Sequence, residues 1–171
     1  MNSTDLTVEL DDYKNFQVQL RDIFQRRELT SLTIRLPDAY RGKWVTFSGP
    51  PEQASDALYE VEHEVGHLPD ALGNLKRLDV LSISFLGLHT LPPSFVKLSR
   101  LRELNISFNR LTLSQELPKL LSLNRLRLLK IYGCEFTGAD LAQLQRMNPN
   151  LKVQYTLQHY LDDMDAGSSE V

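Results

Sequence analysis

The sequence predicts an α/β solenoid, a fold in which short repeated units stack along one axis. Two observations lead to this prediction. A leucine-rich segment recurs along the 171-residue chain, first at a spacing of 23 residues and then at a spacing of 25. Within each copy, apolar and polar residues alternate with the period of two that a half-buried strand requires. Repeats of this length are typical of proteins in which each unit packs only against its neighbours.

The repeat is visible when the chain is aligned with itself. LPDALGNLKRLDVLSISFLGL (68–88) matches LPPSFVKLSRLRELNISFNRL (91–111), and LNRLRLLKIYGCEF (123–136) forms a third copy. Each copy contains L-x-x-L-x-[LI]-x-x-[NC or a substitute]-x-[LF]. On these residues the chain resembles leucine-rich repeat proteins of the intracellular type, in which Leu-Pro opens the second half of each repeat. The resemblance implies a parallel β-sheet on a concave face, with helices and turns on the convex face.

The residue that follows each predicted strand should shape the turn. Asn109 suits this place because its amide can both donate and accept hydrogen bonds with backbone groups left unpaired there. Cys134 occupies the equivalent place in the next copy and can do so only weakly. Leu86 has no such capacity, so the sequence predicts an irregular turn in that repeat.

The ends of the solenoid need covers, because an uncovered end would expose a slice of core. Residues 1–55 are interpreted as an N-terminal cap with a helix over 11–27, amphipathic by its apolar spacing, and an atypical first repeat. Residues 56–161 hold the leucine-rich repeats and a C-terminal lid. Within them, TGAD (137–140) predicts a capping box that opens a short helix. Residues 162–171 are acidic, have little to bury, and are predicted to be a disordered tail.

Composition bounds the class of protein. Apolar residues make up 42% of the chain and charged residues 24%, as is ordinary for a globular protein. The N-terminus shows no signal-peptide pattern, and nowhere do 18 apolar residues run together. The only cysteine is Cys134, which is typical of a reducing compartment. These features predict a cytoplasmic monomer without a membrane anchor.

The charge is unevenly spread, although the net charge is only −3. Residues 97–152 hold 10 Lys/Arg against 4 Asp/Glu, whereas residues 153–171 hold 4 acidic residues and no Lys/Arg. The basic segment suggests nucleic-acid association as an alternative function. It contains no basic-aromatic motif of known type, and the acidic remainder of the chain argues against that function.

HEVGH (63–67) fits the zinc pattern H-E-x-x-H, which on a helix places two histidines on one face and a glutamate beside the metal-bound water. A zinc metallopeptidase is therefore a second alternative. The repeat register instead assigns His63, Glu64 and His67 to a strand and turn, and Gly66 and Pro69 disfavour a helix there. We therefore interpret the match as accidental and predict no metal and no cofactor.

The predicted function is that of a non-catalytic scaffold that binds a protein partner, in the role of an adaptor, an effector or an inhibitor. The side chains that point outward from the repeat strands form the predicted binding face. The candidate residues are Val80, Ser82, Ser84, Phe85, Glu103, Asn105, Ser107, Phe108, Leu128, Lys130 and Tyr132. Tyr132 is expected to be exposed, and the two phenylalanines are either exposed anchors or part of the core.

Overall fold

Six short parallel strands form one open sheet, and their order in the sheet follows their order in the chain. The computed structural model describes residues 4–11, 14–37 and 64–167. The strands are β1 (Asp5–Glu9), β2 (Ser31–Arg35), β3 (Val80–Ser82), β4 (Glu103–Asn105), β5 (Leu128–Lys130) and β6 (Lys152–Gln154). This arrangement confirms the predicted fold class of an α/β solenoid with leucine-rich repeats.

The repeat register is expressed directly in the pairing of the strands. Leu81 lies beside Leu104, and Leu104 lies beside Leu129. All three side chains are buried, because residues at the same place in successive copies stack into one continuous apolar row. Their neighbours in sequence point to the opposite side of the sheet, as strand geometry requires. The concave face is therefore built from the intervening positions.

The convex side of the solenoid changes from one repeat to the next. The first two copies use short 3-10 helices, Asp70–Asn74 and Pro93–Lys97, each entered from an extended proline. The third uses α2 (Leu113–Leu121), and the last uses α3 (Gly138–Met147). A proline fixes its own φ and lacks an N–H, so it starts a helical turn without losing a hydrogen bond. The Leu-Pro pairs thus mark where the first two convex segments begin.

The N-terminal region adds a strand and a helix to the described repeats. The helix α1 (Phe16–Ile23) is shorter than the predicted 11–27, and it buries Phe16, Leu20 and Ile23 against the core. Strand β1 pairs with β2 at the edge of the sheet and was not anticipated from the sequence. The boundary predicted near residue 55 lies outside the described residues.

The C-terminal region contains a capped helix and a second helix, part of which was predicted to be disordered. The capping box at α3 is confirmed, since the Thr137 hydroxyl accepts from the Asp140 N–H and the Asp140 carboxylate accepts from the Thr137 N–H. After β6, the helix α4 (Leu157–Gly167) continues through residues 162–167. The prediction of disorder for 162–171 is therefore wrong for 162–167, and residues 168–171 lie outside the described part of the chain.

None of the helices within the described ranges combines the length and the apolar composition that crossing a lipid bilayer requires.

Candidate protein-binding face

A row of polar side chains crosses the concave face from strand to strand. In the paired register, Thr33 of β2 lies beside Ser82, Ser82 beside Asn105, and Asn105 beside Lys130. Parallel strands in register place equivalent positions side by side, so the row is a direct product of the repeat spacing. It offers hydroxyl and amide groups along most of its length and a single cation at the β5 end.

Two stacked phenylalanines mark the ends of strands β3 and β4. Phe85 and Phe108 occupy equivalent places in successive repeats, and their ring centroids lie 4.3 Å apart with planes at 13°. Both residues adopt left-handed backbone conformations, with φ of 58° and 54°. Such a conformation is unusual for a bulky side chain and costs roughly 1–2 kcal/mol per residue. The turn holds both rings on the edge of the concave face in spite of that cost.

The third repeat carries glycine at the same turn position. Gly133 has φ of 63°, and the Phe108 ring lies against it so closely that a Cβ there would be 2.7 Å from Phe108 Cδ1. The aromatic row is continued instead by Tyr132, one residue earlier, whose ring centroid is 6.3 Å from that of Phe108. The third ring thus comes from a position one residue earlier in its repeat than the rings of Phe85 and Phe108.

The helix α4 lies over this end of the concave face. The Tyr160 ring meets Phe108 edge-to-face at 5.1 Å and Tyr132 at 5.4 Å. One helical turn later, Asp163 Oδ2 accepts hydrogen bonds from Lys130 Nζ at 2.7 Å and from the Tyr132 hydroxyl at 2.8 Å. Residues three apart on a helix share a face, so a single side of α4 supplies both the ring and the carboxylate.

These contacts change the proton affinities of the groups involved. Burial raises the pKa of the Tyr132 phenol, and the hydrogen bond to Asp163 and the charges of Asp163 and Asp162 raise it further. Burial alone would raise the pKa of Asp163, but hydrogen bonds from Lys130 and Tyr132 and the Lys130 charge outweigh it. The pKa of Asp163 therefore lies below its ordinary value. At neutral pH the phenol donates and the carboxylate accepts.

The expectation that Tyr132 is exposed is wrong. Its side chain is only 5% exposed, because Tyr160 and Asp163 of α4 cover the ring and the hydroxyl. Ser107, also assigned to the binding face, is 1% exposed, and its hydroxyl oxygen accepts a hydrogen bond from the Tyr132 N–H. Phe108 is buried as well, which settles the question that the sequence left open for that residue.

The remaining candidate residues reach solvent. Glu103 is exposed, and the others are half-buried, as side chains lying along a sheet surface commonly are. This accessible part of the concave face consists of Val80, Ser82, Ser84, Phe85, Glu103, Asn105 and Leu128. Lys130 is also half-buried but is engaged by Asp163. The structure therefore divides the predicted face into an accessible part and a part covered by α4.

Asn109 makes a set of buried hydrogen bonds that link two repeats. Its Oδ1 accepts from the N–H groups of Leu86 at 3.1 Å and Leu88 at 3.0 Å. Its Nδ2 donates to the carbonyls of Ile83 at 2.9 Å and Ile106 at 2.8 Å. One buried amide thus satisfies backbone groups of its own turn and of the preceding turn, which would otherwise have no water available.

Cys134 occupies the equivalent place in the next repeat and makes fewer bonds there. Its thiol donates to the Ile106 carbonyl, with Sγ and O 3.3 Å apart. Burial raises the pKa of the thiol to about 11, although the backbone N–H groups of Asn109 and Phe108 oppose the rise. A buried thiol of this kind stays protonated near neutral pH and behaves as a small apolar side chain.

The described part of the HEVGH segment, residues 64–67, is not helical. His67 pairs with Thr90 in an isolated parallel bridge, and Gly66 has φ of 72°. Glu64 forms an ion pair with Arg110 and lies within hydrogen-bond distance of His89 Nε2, so its carboxylate faces other side chains of the repeat. His63 lies outside the described residues. Within the ranges that the structure describes, no group of three or more His, Cys, Asp or Glu side chains could hold a metal ion.

Comparison with solved structures identifies the fold. A leucine-rich repeat protein of Leptospira interrogans, LRR protein LIC12759, superposes with a TM-score of 0.51 at 20% sequence identity, over 78% of this chain and 33% of that one. The chain therefore has the leucine-rich repeat fold, and it spans about a third of the length of that relative. No protein-family model matches the sequence, and no curated protein is detectably similar to it.

Two internalins of Listeria monocytogenes are similar at a lower level. Internalin C2 has a TM-score of 0.47 at 18% identity, over 83% of this chain and 57% of that one. Internalin F has a TM-score of 0.42 at 16% identity, over 86% of this chain and 38% of that one.

The contact between α4 and the concave face should depend on pH. Because the pKa of Asp163 is lowered by the contact, the contact contributes stability above the ordinary carboxyl pKa of 3.8 and loses it as pH falls through the lowered value. The groups that face Asp163 are Lys130 and Tyr132, with Asp162 beside it on α4, and the raised pKa of Tyr132 keeps its phenol protonated throughout this range. We expect the NMR signals of Tyr160 to shift toward those of a solvated ring in acid.

The matched control for this titration is Asp163→Asn, which removes the carboxylate. The same signals should then show no transition between about pH 5 and pH 2, the window in which paired carboxylates titrate. A transition of equal size in both proteins would contradict the assignment to Asp163.

Proposed function

We propose that the chain is a non-catalytic protein-interaction module whose partner binds the concave face. The observation that carries this proposal is the pair of stacked rings, Phe85 and Phe108, held in left-handed backbone conformations at the edge of a polar row. Backbone strain of this kind is concentrated at functional sites, where the surrounding structure holds it in place. A rigid aromatic beside hydrogen-bonding groups is also the composition favoured at the energetic centres of protein interfaces.

The accessible part of the face supports a protein partner rather than a small molecule. Ser82 and Asn105 lie side by side on neighbouring strands, with Phe85 at the edge and Glu103 exposed beside them. This is a shallow array spread over several strands, whereas small-molecule sites are concave pockets that enclose most of the ligand. Solenoid sheets commonly present such extended surfaces to proteins.

Nucleic-acid binding is less well supported, because several basic side chains of residues 97–152 have acidic neighbours. Lys119 pairs with Glu116 at 2.8 Å, and Lys130 pairs with Asp163 at 2.7 Å. Arg110 pairs with Glu64. A phosphate-binding surface needs cations that are available to displace counterions. The reducing cytoplasm remains the proposed location, on the ground that the one cysteine is a buried free thiol.

The test is an affinity series against a partner captured from the native organism. Phe85→Ala should weaken binding by more than about 1 kcal/mol, because it removes the accessible ring of the stack. Asn105→Ala should have a smaller effect in the same direction. The convex controls are Gln115→Ala and Gln145→Ala, both exposed, and they should leave the affinity unchanged. Loss of binding in the convex variants with no effect of Phe85→Ala would refute the proposal.

A further inference from the structure

The end of the concave face covered by α4 has the chemistry of a receptor for a helix. It combines an apolar surface formed by the Phe108 and Tyr132 rings with a cation, Lys130, beside them. The helix α4, which occupies this end of the face, presents a ring and a carboxylate on one of its sides, at Tyr160 and Asp163. Binding of this kind, in which a helix lays one face on a partly apolar surface, is a common mode of peptide recognition.

Tyr160 and Asp163 hold the helix α4 on the concave face. The described outward side of the helix includes Leu161, which is 46% exposed. The ion pair that fixes it is partly solvated, with 25% of the Lys130 side chain and 31% of the Asp163 side chain exposed. Partly exposed pairs of this type contribute little to stability and are weakened by salt. Among the described contacts, those of Tyr160 and Asp163 hold α4 on this face.

The segment before α4 can remain in place when the helix moves. Tyr155 meets the Phe136 ring edge-to-face at 5.3 Å, which anchors the chain immediately after β6. A hinge between Tyr155 and the first turn of α4 would have to break the edge-to-face contact of the Tyr155 ring with His159 of α4, whose ring centroids are 6.1 Å apart. Release at this point would expose Phe108 and Tyr132, which extend the accessible ring of Phe85 into a continuous aromatic surface.

We propose that this end of the concave face is a docking site for an acidic helix carrying an aromatic residue and a carboxylate three positions apart, and that the protein partner occupies it by displacing α4. This inference rests on the proposed function and specifies the chemistry of the partner. The charge of the occupant supports it, because residues 153–171 contain four acidic residues and no Lys or Arg. The chain's own helix shows which geometry the site accepts.

The site can be tested with the full chain and a synthetic peptide of residues 156–171. The variant Tyr160→Ala/Asp163→Asn, called the opened variant below, removes the ring and the carboxylate that hold α4 in place. It leaves the buried repeat core unchanged. NMR titration with the peptide should then show binding to the opened variant, with shift changes at the amides of Phe108, Lys130 and Tyr132. Binding to the wild-type chain should be at least about tenfold weaker, because its own helix competes at a high effective concentration.

Three controls separate specific docking from general charge attraction. Lys130→Met in the opened variant keeps the apolar stem, removes the cation, and should weaken peptide binding at least about tenfold, the factor for about 1.4 kcal/mol. Lys152→Met removes an exposed lysine from the neighbouring strand β6 and should have no such effect. A peptide with Tyr160→Ala and Asp163→Asn should not bind. Circular dichroism on each variant checks that the fold is intact.

The inference is overturned if the opened variant shows no shift changes up to about 1 mM peptide, a concentration that detects even weak sites. Equal affinity of the wild-type and opened chains would also overturn it. Failure here is distinguishable from failure of the proposed function. That function fails when convex substitutions abolish partner binding, whereas this inference fails when the peptide does not distinguish the two chains.

Discussion

Asn109→Ala should lower the free energy of unfolding by about 3 kcal/mol or more. The substitution leaves two backbone N–H groups and the Ile83 carbonyl without their side-chain partner, and leaves the Ile106 carbonyl only the weak Cys134 thiol, all in a buried site where Asn109 itself is 5% exposed. An unsatisfied buried group costs roughly 1–3 kcal/mol, and these costs do not add in full because the turn relaxes. Urea denaturation monitored by circular dichroism measures the loss.

One further variant, Asn109→Asp, tests which half of the Asn109 amide matters. Asn109→Asp keeps the oxygen that accepts from Leu86 and Leu88 but replaces the donor that faces Ile83 and Ile106 with a second acceptor. A buried carboxylate oxygen against carbonyls is repulsive, so this variant should also be destabilised and should recover in acid. A chain that tolerates it at neutral pH would show that the donated bonds contribute little.

Asn105→Ala is the matched control in the same repeat. Its side-chain oxygen accepts a single bond, from the Ser107 N–H at 3.1 Å, and the residue is only half-buried. The expected loss is about 1 kcal/mol or less, the usual net value of one hydrogen bond. Equal losses at the two positions would mean that the amide of Asn109 does not organise the turn.

The sequence predicted the parts of the fold that depend on local pattern. The period of two identified which residues of the β3 to β5 strands enter the core, and the spacing of the repeats identified their neighbours in the sheet. It also marked Asn109 as the residue that shapes the turn. It did not reveal that the amide bonds to the turn of the preceding repeat, 21 and 23 residues earlier, because that contact exists only once the repeats are stacked.

Tyr132 was predicted to be exposed and is buried, because a helix that the strand pattern cannot reveal covers it. Alternation shows which side chains leave the plane of a sheet, but it does not show what later covers them. The C-terminal half of the covering helix, residues 162–167, is acidic and has few apolar residues, and its composition therefore indicated disorder. It is ordered by contacts across 31 and 33 residues of sequence, from Asp163 to Tyr132 and to Lys130. Strand β1 was not predicted for a similar reason, because it is ordered by pairing with β2, which lies 26 residues later in the chain.

Gly133→Ala should be destabilising by about 2–3 kcal/mol, more than its backbone conformation alone would cause. Its φ of 63° penalises any side chain by roughly 1–2 kcal/mol. Yet Phe85 and Phe108 hold nearly the same φ at the equivalent turns, so this conformation does not by itself demand glycine. What distinguishes the third turn is the Phe108 ring, since a Cβ would lie 2.7 Å from its Cδ1 and force the ring or the turn to move.

Gly66→Ala and a double-substitution cycle separate the two contributions. Gly66 has φ of 72° but nothing within 4 Å of a Cβ, so alanine there should cost only the conformational strain, about 1 kcal/mol. In the background of Phe108→Ala, the crowding at Gly133 disappears, and Gly133→Ala should then cost about as little as Gly66→Ala. The measurements are thermal and urea unfolding of the four proteins of the cycle. Additive losses would mean that the ring does not restrict position 133, and that glycine is retained there for its backbone alone.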